Sequence, residues 1–192
     1  MKLVFASNNQ HKLMEVRACL NGCAEIIALA DVWSDAVLAE TADTFMGNAL
    51  LKAEQVYTRT QQICISDDSG LEVDALHGQP GVQSARFAGI SATDAENRNL
   101  LLGLLKDQHL RSARFRTLIC LKSAQNHLFF EGVLEGRIAH NAAGHFGFGY
   151  DSIFIPAGQS RTLAEFRPEE KNAVSHRSIA LNKLSEHLRK MH

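Results

Sequence analysis

Two adjacent carboxylates, Asp67 and Asp68, follow a short apolar run at positions 63–65, with only Ser66 between them and the run. Adjacent carboxylates repel each other, so a fold that keeps both at a strand end normally places a cation between or beside them. We expect the next two residues, Ser69 and Gly70, to let the backbone turn sharply and approach a ligand closely. The pair taken alone fits a solvated acidic turn equally well, so its interpretation depends on the other polar segments of the chain.

A third carboxylate, Glu40, lies in a predicted loop. Three carboxylates can hold Mg²⁺, which prefers one or two of them together with waters and the phosphate oxygens of a substrate. A remaining carboxylate can orient and deprotonate a water, because the metal stabilises the hydroxide that forms. We therefore predict a magnesium site at Glu40, Asp67 and Asp68, although Glu40 by itself also fits a solvated loop residue.

The polar segment from Ser7 to Lys12 lies between a predicted strand and a predicted helix. Amides at a helix start point outward with the positive end of the helix dipole, and they suit a phosphate group. Ser7 and Asn9 add side-chain donors, and Lys12 adds a positive charge. The segment lacks the glycines and the Lys-Ser/Thr ending of a P-loop. It fits an ordinary N-capped helix as well as a phosphate site.

Glycines alternate with aromatic residues in the segment 144–151, Gly-His-Phe-Gly-Phe-Gly-Tyr-Asp. Small residues beside aromatic ones can form a flat slot in which a planar base stacks. Asp151, at its end, could accept a hydrogen bond from a base or a ribose. A hairpin loop whose aromatic side chains fill the core fits the same pattern.

The segment 169–177 predicts a helix start, with Ser175 as the N-cap and with His176 and Arg177 in the first turn. Donors in that turn suit a carbonyl oxygen on the edge of a base. Cations in a first turn oppose the helix dipole, and this cost is easier to understand if an anionic or carbonyl-bearing ligand binds there. A plain surface helix start remains the alternative.

Strands and helices alternate around these segments, which predicts an α/β protein. The predicted strands are 3–6, 25–29, 63–66, 115–121, 128–134 and 153–155. The predicted helices are 12–20, 44–58, one opened by a capping box at 93–96, and 175–189. We expect the third helix to pack four leucines inward, namely Leu100, Leu101, Leu104 and Leu105, and we expect 75–89 to form a long surface loop.

Composition limits the possible classes of function. A chain of 192 residues with 45% hydrophobic and 21% charged residues suits one domain over 1–192. The net charge of −1 gives no general attraction to nucleic acid or to an anionic membrane, so a polyanionic substrate needs a local cluster of Lys and Arg. No apolar run reaches the ~20 residues of a membrane span, and the N-terminus resembles a strand more than a signal peptide. The four cysteines form no C-x-x-C pair and fit reduced thiols in a cytosolic protein.

Six motifs occur in a fixed order along the chain. They are Ser7-x-Asn9-x-x-Lys12, Glu40-Thr41-x-x-Thr44-Phe45-x-x-Asn48-Ala49, Asp67-Asp68-Ser69-Gly70-Leu71, Pro80-Gly81-x-x-Ser84-Ala85-Arg86, Phe148-Gly149-Tyr150-Asp151 and Ser175-His176-Arg177. Together they closely resemble the inosine/xanthosine triphosphate pyrophosphatase family, and the resemblance covers essentially the whole chain. No single motif would be specific enough.

The resemblance implies a long mixed β-sheet flanked by helices, with two lobes around a central nucleotide-binding cleft, in a cytoplasmic homodimer. It implies Mg²⁺-dependent hydrolysis of XTP, ITP and dITP to the monophosphate and pyrophosphate. By carry-over, Asp68 is the general base and a metal ligand, and Glu40 and Asp67 assist it at the metal. The residues implied in binding the nucleotide are Ser7, Asn8, Asn9, Gln10, His11, Lys12, Lys52, Ser69, Phe148, Gly149, Tyr150, Asp151, Lys171, His176 and Arg177.

The chain departs from the family pattern at three positions. Gly47 stands where a Glu commonly precedes the Asn-Ala pair, and Ala39 stands where a second Glu is common. Ser152 replaces the Pro that usually follows the Tyr-Asp pair. None of these changes removes a residue assigned to the chemistry, so they bear on rate and metal affinity rather than on the type of reaction.

Two other classes remain open. A related pyrophosphatase that prefers modified pyrimidine nucleotides would share the same site logic, but the Ser-His-Arg and Phe-Gly-Tyr-Asp elements argue against it. A non-catalytic nucleotide sensor would need a defective set of carboxylates, whereas Glu40, Asp67 and Asp68 are all present. A nucleic-acid-binding module is the least favoured class, because the chain has no basic stripe.

Overall fold

The computed structural model describes residues 1–190. Its strands are β1 (Lys2–Phe5), β2 (Glu25–Ala28), β3 (Cys64–Val73), β4 (Ser112–Lys122), β5 (His127–Ile138) and β6 (Phe154–Pro156). They form one sheet in the order β2-β1-β3-β4-β5-β6. Strand β1 pairs in parallel with β2 and β3, whereas β5 and β6 are antiparallel. The sheet is therefore mixed and flanked by helices, which confirms the predicted fold class.

The helices are α1 (Gln10–Cys19), α2 (Leu29–Val32), α3 (Phe45–Thr60), α4 (Asp94–Leu104), α5 (Pro168–Val174) and α6 (His176–Lys190). Asn9, Thr44 and Thr93 cap α1, α3 and α4, because each side chain accepts a hydrogen bond from a first-turn amide. The four predicted helices are present with small shifts at their ends. The sequence analysis missed α2 and α5, since one is a single turn and the other ends directly before α6.

Two compact units make up the described residues. The first contains Met1–Asp68, Thr117–Gly132 and the C-terminal segment from Arg177, and the second contains Ser69–Arg116 and Val133–His176. The core of the first unit includes Leu3, Phe5, Val16, Leu20, Ile65, Ile119, Leu181 and Leu184. The core of the second includes Leu71, Val73, Leu101, Leu105, Phe115, Ile138, Ile153 and Phe154. One domain over 1–192 stays a prediction.

Strand β3 carries the aspartate pair in its middle, so the predicted sharp turn at Ser69 and Gly70 is wrong. The strand continues to Val73 because apolar, buried residues follow the polar stretch 67–70. Leu71 and Val73 are both 0% exposed. A strand points successive side chains to opposite faces, so Asp67 and Asp68 face different surroundings.

Two further predictions differ from the structure. Leu101 and Leu105 are buried as expected, but Leu100 and Leu104 are exposed by 37% and 47%, so the buried stripe of α4 is narrower than predicted. The predicted loop at 75–89 contains two 3₁₀ helices, Asp74–Leu76 and Gly81–Arg86. The buried side chain of Ser84 ties this segment to β3, because its hydroxyl accepts a hydrogen bond from the backbone N–H of Leu71 at 2.9 Å.

All four cysteines are free thiols. Burial raises the pKa of Cys64 and of Cys120 to about 12, so both remain protonated and unreactive at neutral pH. None of the helices within residues 1–190 is long and apolar enough to cross a membrane.

Candidate active site

Asp67 is a buried carboxylate held by two cations of the first unit. Its Oδ2 lies 3.0 Å from Lys12 Nζ and 3.1 Å from Arg177 Nε, and its Oδ1 lies 3.1 Å from Lys12 Nζ. Burial alone would raise the pKa of Asp67, but the charges of Lys12 and Arg177 outweigh it and lower the pKa well below the ordinary range. Asp67 is therefore ionised, and both of its oxygens are engaged.

Arg177 is a buried cation whose charge is balanced on two sides. Its side chain is 2% exposed, and its Nη1 donates to Glu15 Oε2 at 2.5 Å. Burial acts against the charge, but Asp67 and Glu15 raise the pKa of Arg177. These carboxylates offset the cost of a cation in the first turn of α6. The sequence analysis missed Glu15, although its spacing of three residues from Lys12 places both on one face of α1.

Asp68 points to the other face of β3, toward α3. Its Oδ2 accepts from Asn48 Nδ2 at 3.1 Å, while its Oδ1 lies 3.7 Å from Lys52 Nζ, beyond hydrogen-bond distance. The two residues of β3 that share this face, Cys64 and Ser66, also bond to α3, at the carbonyl oxygens of Ala53 and Ala49. Burial raises the pKa of Asp68, and Lys52 only partly offsets it.

Asn48 and Lys52 lie four residues apart on α3, so they share the face that points at Asp68. Lys52 Nζ donates to Glu40 Oε1 at 2.5 Å, and Asn48 Oδ1 accepts from the N–H of Ala42 at 2.9 Å. Helix α3 thus positions the carboxylate of Asp68 and also the loop that carries Glu40. Asn48 belongs to a quoted motif, but the sequence analysis gave it no role.

Close packing accounts for the glycine at position 47, where the family that the motifs resemble commonly has Glu. A Cβ atom added at Gly47 would lie 2.6 Å from Ala42 Cβ and 3.0 Å from Thr44 Oγ1. A larger side chain would therefore displace the Glu40 loop, which Asn48 holds through the N–H of Ala42. Close packing between this loop and α3 occupies the space that a second carboxylate would need.

The segment from Ser7 to Lys12 leads into α1, which begins at Gln10, two residues earlier than predicted. Asn9 Oδ1 accepts from the N–H of Lys12 at 3.0 Å and caps the helix, while Ser7 Oγ accepts from the N–H of Asn9 at 3.2 Å. Asn8 Nδ2 donates to the carbonyl oxygen of Ala36 at 2.8 Å. The side chains of Ser7, Asn8 and Asn9 thus shape the loop, while Gln10 and His11 are exposed in the first turn. Phosphate binding here stays a prediction.

Seven charged side chains surround the two aspartates in the first unit. Lys12, Lys52 and Arg177 are the cations, and Glu15, Glu40, Asp67 and Asp68 are the carboxylates. The group therefore has one excess negative charge. Within residues 1–190, no three His, Cys, Asp or Glu side chains lie close enough together to hold a metal ion without further ligands.

Asp151 organises the glycine-rich segment in the second unit. It is 4% exposed, and its Oδ2 accepts from Lys171 Nζ at 2.7 Å and from the N–H of Phe148 at 3.0 Å. Lys171 Nζ also lies 4.7 Å from the centroid of the Phe148 ring. Gly147 has a φ of +76°, and a Cβ there would lie 2.1 Å from Asp151 Oδ2, so only glycine fits this position.

The remaining predicted residues of the second unit are buried to different degrees. His176 is 4% exposed and stacks on Phe115, with ring centroids 4.6 Å apart and planes 11° apart. Tyr150 is an internal anchor, because its hydroxyl donates to the carbonyl oxygen of Ser84 at 2.8 Å. Ser69 is half-buried in β3.

Comparison with known proteins identifies the relatives of this chain. The Ham1 family model matches residues 3–187. A dITP/XTP pyrophosphatase of Porphyromonas gingivalis is 48% identical over 188 residues and is aligned over 97% of each chain. One of Flavobacterium psychrophilum is 44% identical over 184 residues, which cover 96% of this chain and 97% of the relative.

Solved structures agree with the sequence comparison. The Ham1 protein of Staphylococcus aureus superimposes with a TM-score of 0.92 at 36% identity, over 100% of both chains. The fold thus has a counterpart of known architecture over the full length of the chain. This α/β chain belongs to the Ham1 family, which confirms the family predicted from its motifs.

Proposed function

We propose that this chain hydrolyses deaminated purine nucleoside triphosphates (XTP, ITP and dITP) between the α- and β-phosphates, releasing the monophosphate and pyrophosphate. Its relatives named dITP/XTP pyrophosphatases support the substrate class. The observation that carries the proposal is that β3 places two adjacent carboxylates in different surroundings. Asp67 is held by Lys12 and Arg177, which lower its pKa. Asp68 has one oxygen beyond hydrogen-bond distance of Lys52, and burial raises its pKa. Neighbouring acids whose pKa values are pushed apart commonly divide the catalytic roles between them.

Asp68 is the proposed general base. Its Oδ1 accepts no hydrogen bond from the described residues, since the nearest cation, Lys52, is 3.7 Å away. That oxygen can take a proton from a water that attacks the α-phosphorus, and pyrophosphate then leaves as the α–β bond breaks. A well-positioned general base contributes about 10²–10⁴-fold to the rate.

The proposed cofactor is Mg²⁺, and the donors of the first unit fit it in part. The carboxylates of Glu40 and Asp68 both lie near the ammonium group of Lys52. Mg²⁺ prefers one or two carboxylates together with substrate phosphate oxygens, so this pair suits it. Asp67 fits less well, because Lys12 and Arg177 already engage its oxygens. When bound, the metal would neutralise the polyphosphate and the charge that develops on it. We propose Glu40 and Asp68 as its ligands, with Asp67 as the residue that fixes Lys12.

The proposed substrate contacts are the residues implied by the family resemblance. We assign the triphosphate to the helix start at Ser7, Asn8, Asn9, Gln10, His11 and Lys12, together with Lys52. We assign the nucleoside to Ser69, Phe148, Gly149, Tyr150, Asp151, Lys171, His176 and Arg177. The exposed first-turn amides of α1 support the first assignment, and the Lys171–Phe148 contact at 4.7 Å supports the second.

Base choice is proposed to depend on the oxygen at position 6 of the purine. Inosine and xanthosine present an acceptor there, whereas adenine presents an amino donor. Donors from His176 and Arg177 are proposed to pair with that oxygen, whereas the amino group of adenine offers them no acceptor. Each unpaired buried polar group costs about 1–3 kcal/mol. Guanine shares the oxygen, so its rejection depends on the 2-amino group.

Product analysis tests the proposed function. Pyrophosphate and phosphate release are measured with Mg²⁺ and with ITP, XTP, ATP, GTP and dTTP, before and after chelation with EDTA. We expect pyrophosphate from ITP and XTP, little from ATP or GTP, and no release after chelation until Mg²⁺ is restored. Phosphate as the product would overturn α–β cleavage. Preference for a modified pyrimidine nucleotide, or binding without turnover, would favour the alternative classes.

The pH dependence of activity should follow Asp68. A base must be ionised, so kcat/KM is expected to fall as the pH decreases through the pKa of Asp68, which burial raises in the metal-free protein. Lys12 and Arg177 stabilise ionised Asp67 in the fold, and this contribution to stability is fully present above about pH 3.9, the pKa of an unfolded aspartate. It is lost only as the pH falls toward the lower pKa that Asp67 has in the folded protein. We therefore expect activity to be lost before the fold. Loss of activity that coincides with unfolding would contradict this assignment.

We also propose that the chain acts as a cytoplasmic homodimer with a small-molecule nucleotide substrate and no nucleic-acid partner. The family resemblance supports the dimer, and the net charge of −1 supports the absence of a nucleic-acid partner. Light scattering after size exclusion gives the mass directly, and a monomer of 21.2 kDa would contradict the dimer.

A further inference from the structure

Gly149 is held on both sides by charged side chains of α4, although glycine is the residue with the most backbone freedom. Its N–H donates to Asp94 Oδ2 at 2.6 Å, and its carbonyl oxygen accepts from Arg98 Nη1 at 2.7 Å. The N–H and the carbonyl lie on opposite sides of the Cα atom, so the two bonds together restrict both φ and ψ. We call Asp94 and Arg98 the Gly149 clamp.

The clamp acts at the hinge of the glycine-rich segment. Phe148 lies between Gly147 and Gly149, whose φ angles are +76° and +60°. On the far side, Tyr150 is fixed by its hydrogen bond to Ser84. Asp151 holds the N–H side of Phe148 at 3.0 Å, so the clamp fixes its other side. Without the clamp, rotation about the Gly149 backbone would tilt the Phe148 ring relative to an anchored Tyr150. Hydrogen bonds to ionised groups are about twice as strong as neutral ones, which suits them to hold such a residue.

We propose that the Gly149 clamp positions Phe148 for recognition of the purine base and so helps to set base preference. The inference rests on the proposed function, in which this segment receives the base. Asp94 and Arg98 lie outside the six family motifs, four residues apart on one face of α4. They do not contact the base in this proposal, and they act only through the backbone of Gly149.

A purely structural role predicts a different result. Asp94 lies in the first turn of α4, where a negative charge favours the helix dipole. If that were its whole role, its loss would lower stability and leave base preference unchanged. A clamp instead predicts a selective increase in KM for ITP with little change in kcat, because Phe148 would spend less time in the binding orientation.

The first experiment measures amide hydrogen exchange of the segment 145–151 in the wild type and in Arg98→Ala, Asp94→Ala and Asn99→Ala. Asn99 is an exposed residue of the same helix and serves as the matched control. We expect faster exchange of this segment in the first two variants and wild-type exchange in the third. Unchanged exchange in Arg98→Ala would overturn the clamp itself, whatever the activity of the protein.

The second experiment measures kcat and KM for ITP and ATP, with ITP affinity measured by calorimetry in parallel. We expect Arg98→Ala to raise KM and the dissociation constant for ITP about 10-fold, and to lower the ratio of kcat/KM for ITP over ATP. Arg98→Lys and Asp94→Asn keep a donor and an acceptor, so they should restore part of the loss. The double variant should resemble the single ones, because both residues act on one glycine.

The two experiments separate the inference from the proposed function. A wild type that releases no pyrophosphate from ITP would refute the proposed function, but calorimetry would still test whether the clamp affects ITP binding. Faster exchange in Arg98→Ala with unchanged ITP affinity and unchanged base preference would overturn the inference. An equal loss of kcat for every nucleotide would overturn it as well.

Discussion

Replacing Asp68 with asparagine is expected to lower kcat for ITP by about 10²–10⁴-fold while leaving ITP affinity close to that of the wild type. The substitution removes the proton acceptor but keeps the size of the side chain and an oxygen that can accept from Asn48 Nδ2. The measurements are steady-state kinetics of pyrophosphate release and calorimetric binding of ITP. A kcat close to that of the wild type would exclude Asp68 as the general base.

The stability of the same variant tests whether its loss of activity is caused by unfolding. The pKa of Asp68 is raised in the fold, so its ionised form is disfavoured there, and the charge costs stability at neutral pH. We therefore expect Asp68→Asn to unfold at the wild-type temperature or above. Asp35→Asn, at an exposed aspartate of the same unit, is the matched control and should change neither activity nor stability.

Replacing Arg177 with alanine is expected to destabilise the protein by about 3–5 kcal/mol, because it leaves buried carboxylates without their cation. Asp67 loses one of its two cations, and Glu15 loses the partner at 2.5 Å. Denaturant unfolding monitored by circular dichroism gives the change. The exposed Arg59 is the matched control, and Arg59→Ala should stay within about 0.5 kcal/mol of the wild type.

The conservative variant Arg177→Lys separates charge from geometry. A lysine ammonium lacks the planar fork that lets one side chain donate to Asp67 and Glu15 in two directions, so only part of the stability should return. Wild-type stability in Arg177→Ala would refute the buried network. In any folded Arg177 variant, an unchanged preference for ITP over ATP would refute the proposed contact of Arg177 with the base.

The sequence predicted the parts of the fold that depend on short-range signals. Alternating apolar residues, helical spacing and the capping box at Thr93 are local features, and the helices that they predict are present. The continuation of β3 through the aspartate pair could not be predicted in this way. Ser69 and Gly70 favour a turn locally, but burial of the strand around Leu71 and Val73 overrides that preference.

The candidate site was predicted as a set of residue types but not as a set of contacts. The family resemblance pointed to Asp67, Asp68 and Lys52, all of which lie in one charged cluster. The sequence could not divide the carboxylates between the cations, because that depends on which face of β3 each side chain occupies. Glu15 was missed for a related reason, since an i, i+3 spacing shows a shared helix face but not what the face meets.

The surroundings of each aspartate depend on the face of β3 to which its side chain points, and that face alternates from one residue to the next. Strand β3 is registered against β1 with Val4 opposite Cys64 and Phe5 opposite Ile65. Even positions from that point face α3, while the odd position 67 meets Lys12 and Arg177. Inserting one residue between 65 and 67 would turn each of the two carboxylates to the opposite face of the strand without changing its chemistry. Evolution can therefore tolerate new side chains along this strand far more readily than a change in its length.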